Sequence, residues 1–201
     1  GRLEELGDQR IVFLEGSPYD IGRRHGELLR DPVQRLVGRV LDYFESYLKV
    51  PILRTWIVHR WLERSWAESL PHVPADYLEE LQGLSDGSGV ALPDLWRLHA
   101  IPDRTYSCAN FAAWGRATTD GRLIHARNLD WNFDVGVQRE PVVFIVHPDG
   151  KRVFANVGWA GFIGVLSGVN EHGISIGQVG AETADLSYDG VPMPFLMRRV
   201  L

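Results

Sequence analysis

Apolar residues recur at helical spacing through most of the first half of the chain and at strand spacing through most of the second. Residues 10–15, RIVFLE, alternate enough for a short strand. Gly16-Ser17-Pro18 ends it, and Pro18 sits where a helix can begin. Over residues 19–48 the apolar positions Ile21, Leu28, Leu29, Val33, Leu36, Val37, Val40, Leu41 and Phe44 predict one long helical stretch, kinked or split at Pro32. Pro51 opens another helical run to about Leu70, closed by Pro71 and Pro74. A third helix is expected over 75–84, a loop at SDGSG (85–89), and a short fourth helix over 92–99.

The texture changes after Pro102. Strands are expected at 111–114, 123–126, 141–147, 152–157, 162–166 and 174–179, separated by turn signals at 119–121, 148–150 and 171–173. Val191-Pro192 precedes a last helix over 195–201. Helices first and roughly six strands after them predict an α+β fold whose antiparallel sheet is covered on one face. Leu201 has no cap or glycine stop signal, so the domain is expected to continue beyond it.

Composition narrows the function classes. The 201 residues are 45% hydrophobic and 23% charged, as in a soluble globular domain. A net charge of -5 without a basic stripe argues against a nucleic-acid partner. Arg, His or Glu interrupts every long apolar run, so no transmembrane helix is expected. GRLEELGDQR at the start has no apolar signal-peptide core, and the compartment stays open between cytoplasmic and exported. One cysteine rules out an internal disulfide. None of the seven histidines stands in HExxH or another zinc spacing, so no metal site is expected. The seven tryptophans, Trp56, Trp61 and Trp66 among them, suit either a packed helical core or an aromatic wall for an apolar substrate.

The lone Cys108 could be a small buried apolar residue. It also stands where the helical half meets the sheet, and a thiolate beside a cation is a reactive nucleophile. A hairpin turning at Asp120-Gly121 brings the end of its second strand back to the start of its first, so Arg127 and Asp130 are expected near Cys108.

The stretch SCANFAAWGRATTDGRLIHARNLDW resembles the nucleophile hairpin of the N-terminal-nucleophile (Ntn) hydrolases that cleave linear amides. That group includes choloylglycine hydrolase, penicillin V acylase, acid ceramidase and isopenicillin N acyltransferase. The group's pattern of Cys, strand, DG turn, strand and R-N-x-D is matched by Cys108, Asp120-Gly121 and Arg127-Asn128-Leu129-Asp130. GSPYDIGRRHGELL (16–29) is similar to the opening motif of the acyltransferase-like branch. GWAGFIGVLSGVNEHGISIG (158–177) is similar to its sheet segment with a G-x-N-x-x-G turn, and DGVPMPFLMRRVL (189–201) to the helix that follows.

The resemblance implies an αββα sandwich, two antiparallel sheets between helices, with residues 1–107 as a helical pro-segment or short subunit and 108–201 as the first part of the catalytic domain. It implies self-cleavage between Ser107 and Cys108, freeing a Cys108 that carries both the thiol nucleophile and an α-amino base. Arg127 would stabilise the thiolate or the substrate carbonyl, and Asp130 would hold the α-amino group. The substrate would be a small-molecule N-acyl amide with an apolar acyl group. No cofactor is implied, and the oligomer state is left open. The branch's oxyanion donor ten positions after Asn170 falls on Gly180, which has no side-chain donor. Backbone amides or Gln178 could serve instead, and Asn170 suits a turn as well as a site. Two alternatives remain: a phospholipase B-like lipid hydrolase on the same fold, and a non-catalytic relative with a structural cysteine.

Overall fold

A computed structural model describes residues 1–49, 52–102, 108–180, 187 and 189–201. The chain starts with a hairpin, β1 (Arg2–Leu6) and β2 (Gln9–Gly16), turned at Gly7 with φ +59°. The expectation held only β2. RLEEL has a single inward apolar residue, Leu3, so its period of two is invisible in the sequence. Ser17 caps α1 (Pro18–Leu28) by accepting from the Asp20 amide at 3.2 Å, with Pro18 in the first turn. The long helical stretch splits at Leu29, and α2 (Arg30–Ser46) carries Pro32 in its own first turn, where a missing N–H breaks no intrahelical bond.

Three more helices follow: α3 (Arg54–Ser69), α4 (Ala75–Ser88) and α5 (Leu92–Ala100). The loop expected at 85–89 is instead the last turn of α4, ended by Gly89 at φ +76°. Its Gly and Ser residues serve packing. Gly22 and Gly26 of α1 face Gly83 and Gly87 of α4, and backbone meets backbone there. A Cβ on Gly22 would stand 1.9 Å from the Glu80 carbonyl oxygen, and one on Gly83 would stand 2.1 Å from that of Tyr19. The matched glycine pairs thus set the α1–α4 distance.

The main sheet has the order β1-β2-β5-β6-β7-β8, completed by β5 (Pro141–Pro148), β6 (Phe154–Trp159), β7 (Ser167–Asn170) and β8 (Ser175–Gly177). The expectation of purely antiparallel pairing needs correction: β2 runs parallel to β5, from Arg10 opposite Val142 to Gly16 opposite Pro148. The helices between them form the crossover that parallel pairing requires. Residues 1–107 therefore contribute two strands to this sheet besides their helices. Glu140 ties the crossover down, taking hydrogen bonds from Arg35 of α2 at 2.8 Å and Arg10 of β2 at 2.9 Å. Burial alone would raise the Glu140 pKa, but these two guanidinium groups hold it below the usual carboxylate value.

Val12, Leu14, Val142, Phe144, Val146 and Phe154 bury one face of the sheet beneath the helices. The opposite face carries Ile11, Phe13, Val143, Ile145, Ala155, Val157 and Val169, partly or fully exposed.

The strand expected over 162–166 is not a strand. Side chains hold part of its backbone and that of Gly161 just before it. Gly161 N–H donates to His25 Nε2 at 2.9 Å and Ile163 N–H to His99 Nε2 at 3.0 Å. Arg198 of α6 (Met193–Val200) donates to the Ile163 carbonyl at 2.9 Å, and also grips Glu80 of α4 at 2.9 and 2.7 Å. Pairing begins only beyond this segment, at β7. As acceptors, both histidines must be neutral at Nε2. Burial pushes the His25 pKa down to about 3 and the His99 pKa down to about 4.

Two outcomes follow from this packing. Gly22→Ala should cost about 3 kcal/mol or more, because backbone rather than side chain must move. Gly38→Ala, on an exposed helical position with nothing within 4 Å, should gain roughly 0.5–1 kcal/mol. Urea melts of the two variants check this. The histidines give an acid limb. Below pH 6.5 the unfolded chain binds their protons while the folded one does not, so stability falls as pH drops and levels off near pH 3–4. The slope should approach about 1.4 kcal/mol per pH unit for each histidine. Urea midpoints unchanged between pH 7 and pH 5 would contradict it.

Candidate functional site

The second structural unit is a hairpin, β3 (Cys108–Ala113) and β4 (Ile124–Leu129), in the antiparallel register Cys108–Leu129, Asn110–Arg127, Ala112–His125. Its connection turns at Gly115 and Gly121, both at positive φ, with the Gly115 N–H on the Gly121 carbonyl at 3.2 Å. The strand period of two puts Cys108, Asn110, His125, Arg127 and Leu129 on one face. That face lies against β8 and the residue after it, Gln178.

Cys108 and Arg127 are diagonal neighbours on this face. Arg127 Nη2 donates to Cys108 Sγ at 2.8 Å and to Gln178 Oε1 at 3.1 Å, and Arg127 Nε donates to the Gln178 carbonyl at 3.1 Å. The Cys108 thiol lies 3.3 Å from Gln178 Oε1. Two donors facing Oε1 assign the orientation of the Gln178 amide, whose NH₂ then points away from the Arg127 guanidinium. Cys108 is half-buried and opens on a cavity of about 630 Å³. Tyr43 and Phe44 of α2 and Tyr47 just after it form one wall, with Leu129, Trp131, Leu166 and Met193 adding apolar surface. Among the described residues, Cys108, Asp130, Asn132 and Gln178 line it with polar groups besides the two tyrosines.

The expected residues divide clearly. Arg127 and Gln178 meet the sulfur. Asp130 lines the same cavity just past Leu129, with an exposed carboxylate hydrogen-bonded by Asn128. Asn170 does not join them. It ends β7 at the turn away from Gln178, where its Oδ1 accepts from His172 and Ile174 amides at 3.0 Å and its Nδ2 donates to the Leu201 carbonyl at 3.1 Å. It is a buried turn residue. Gly180 is half-buried and is not among the described residues lining the cavity. Ser107 lies outside the described residues.

Trp66 packs in the helical core, its ring 6.1 Å from that of Trp96, while Trp56 is exposed. Among the described residues the cavity takes its tryptophan from position 131, and its aromatic wall is that of α2. The signal for that wall was present in the sequence: Phe44 closes the apolar stripe, and Tyr43 and Tyr47 flank it at helical spacing. Among the described residues no three His, Cys, Asp or Glu side chains form a metal-binding group, and no helix is long and apolar enough to cross a membrane.

Thiol chemistry separates the two polar candidates. Arg127→Gln removes the donor on Sγ and should slow alkylation of Cys108 by iodoacetamide about tenfold. Asn170→Ala should leave that rate within about twofold while lowering stability by about 1–3 kcal/mol, since it strands buried turn amides. Stopped alkylation with mass detection, beside thermal melts, reads both.

No family model matches the chain. It is similar to "Protein dcd1A" of Dictyostelium discoideum, 30% identical over 231 residues that cover all of this chain and 52% of that protein. "Protein dcd1B" of the same organism is 27% identical across the whole chain and 45% of its own length. An "Uncharacterized protein" of Archaeoglobus fulgidus is 26% identical over 88% of the chain and 34% of its own length. The chain thus spans about half the length, or less, of the relatives it matches.

Proposed function

We propose that this chain carries the nucleophile half of a self-processing cysteine Ntn hydrolase or acyltransferase that acts on a linear N-acyl amide. The observation that carries the proposal is the convergence of Arg127 and Gln178 on Cys108 Sγ, at the first residue of a strand that opens on an apolar-walled cavity. A half-buried thiol at a cavity, rather than one sealed in the core, favours chemistry over packing. The αββα sandwich belongs to the same proposal. It is supported by an apolar sheet face left open opposite the helices, and by a hairpin layered against the β8 end of that sheet.

Processing comes first. The Cys108 thiol adds to the carbonyl carbon of Ser107, the Ser107–Cys108 C–N bond breaks as its nitrogen takes a proton, and water hydrolyses the resulting thioester. Ser107 is left with a carboxylate and Cys108 with a free α-amine. An α-amine titrates at roughly 7.7–8.0, so it can take the thiol proton near neutral pH without a histidine. In turnover the thiolate attacks the acyl carbonyl, the amine departs with that proton, and water or an acceptor amine resolves the acyl-enzyme. Arg127 holds the sulfur. The NH₂ of Gln178 is the donor for the developing oxyanion, in the role that Gly180 has no side chain to fill. Asp130, beside Leu129 at the cavity, receives the α-ammonium. The wall of Tyr43, Phe44 and Tyr47 takes the apolar acyl group.

Intact mass of the full-length protein tests this directly. The wild type should give two fragments that part between Ser107 and Cys108, and Cys108→Ala should stay whole. A wild type that remains one chain removes self-processing from the proposal.

A further inference from the structure

The face of the hairpin that carries Cys108 also carries a second polar group, which touches neither the sulfur nor the cavity. Asn110 Nδ2 donates to the Gly177 carbonyl at 2.7 Å. That bond turns Asn110 Oδ1 toward His125 Nε2, 2.9 Å away, so Nε2 carries the ring proton. His125 Nδ1 is then an acceptor, and the Ser175 hydroxyl donates to it at 2.8 Å. The result is a directed chain, Ser175 to His125 to Asn110 to Gly177. It starts and ends on β8 and passes through both strands of the hairpin. Gly177 completes the fit, since a Cβ there would stand 2.8 Å from Asn110 Nδ2, 3.0 Å from His125 Nε2 and 3.1 Å from Arg127 Cγ.

Ser, His and Asn in this order could also be a nucleophile, its base and an orienting group. Ser175 and His125 are not among the residues lining the cavity, so no substrate carbonyl is offered to them there. What the chain does control is position. Gln178 directly follows Gly177, and Arg127 lies two residues beyond His125 on the same face. We infer that Asn110, His125 and Ser175 are positioning residues for Cys108: they seat the hairpin on β8 so that the Arg127 guanidinium and the Gln178 amide reach the sulfur together. This rests on the proposed role of Cys108 as nucleophile and adds the device that aligns it.

A double-mutant cycle on the full-length protein tests the seat, with iodoacetamide alkylation of Cys108 as the rate. Arg127→Gln should slow the wild type about tenfold. The same substitution should change the rate less than about twofold in Asn110→Ala and in Gly177→Ala, where the guanidinium no longer meets the sulfur. Ser175→Ala should likewise shrink the Arg127 factor, and Ser175→Thr, which keeps the hydroxyl, should restore it. A merely structural role would lower melting temperature and leave the tenfold factor in place. A tenfold factor that persists in the folded Asn110→Ala and Gly177→Ala proteins overturns the inference. So does the lack of any Arg127 effect in the wild type. Chain cutting is read separately by mass: an uncut wild type with an intact cycle keeps the seat and removes self-processing.

Discussion

The buried ion pair between Arg198 and Glu80 holds the parts of this structure in relation to one another. Both side chains are almost fully enclosed, and the guanidinium donates to the carboxylate through Nη1 and Nη2. Burial pushes the Glu80 pKa up and Arg198 opposes it, so each charge is tolerable only because of the other. Such a pair adds little net stability over apolar residues of the same shape, yet losing one partner typically costs about 3–5 kcal/mol. Its position explains why it is there. The Glu80 carbonyl is what Gly22 of α1 packs against, and Arg198 also holds Ile163. Four helices and the segment leading into β7 are therefore located from one point: α1 and α5 through His25 and His99, α4 and α6 through the pair itself.

That point is remote from the sulfur but determines what reaches it. Residues 160–166 run straight into β7, β7 pairs with β8, and β8 delivers Gln178. Side chains bond Gly161, Ile163 and Gly164 of this segment, and Val165 N–H donates to the Pro194 carbonyl, so it turns inside the core without a strand ladder. An ordinary strand there would have moved the start of β7.

The helices were legible because their apolar stripes repeat over three or more turns, as in α2. The hairpin was legible because Asp120-Gly121 marks its turn, and the return of the second strand then places Arg127 beside Cys108 by counting. Local pattern failed where a residue answers to something distant in sequence. Ser85, Gly87 and Ser88 look like a loop beside their neighbours and are a helix because α1 lies against them. FIGVL at 162–166 has the composition of a strand, but buried His99 and Arg198 claim the N–H and the carbonyl of Ile163, and His25 holds Gly161 just before it. β1 lacked an apolar rhythm, and β7 was too short to have one. In the site, Gln178 could be named as a substitute donor from the departure at Gly180. Asn110, His125 and Ser175 carry no shared motif, since their relation exists only once β4 lies beside β8.

The place of β2 has a consequence for how the chain reaches this state. It is bonded on one side to β1, its immediate neighbour in sequence, and on the other to β5, with Arg10 and Glu140 130 residues apart. The centre of the sheet closes only after five helices and a hairpin have been made, and contacts of such range slow folding. During synthesis the β1–β2 hairpin would leave the ribosome with an unpaired edge, and would keep it until more than a hundred further residues had followed. The charged outer strand RLEEL shields one side of β2 in that interval. The other edge, which β5 later fills, would be open to pairing with another nascent chain, with the apolar run Ile11 to Leu14 uncovered on both faces. The price of a sheet knit across its own length is thus a long exposure to aggregation before the native contacts exist.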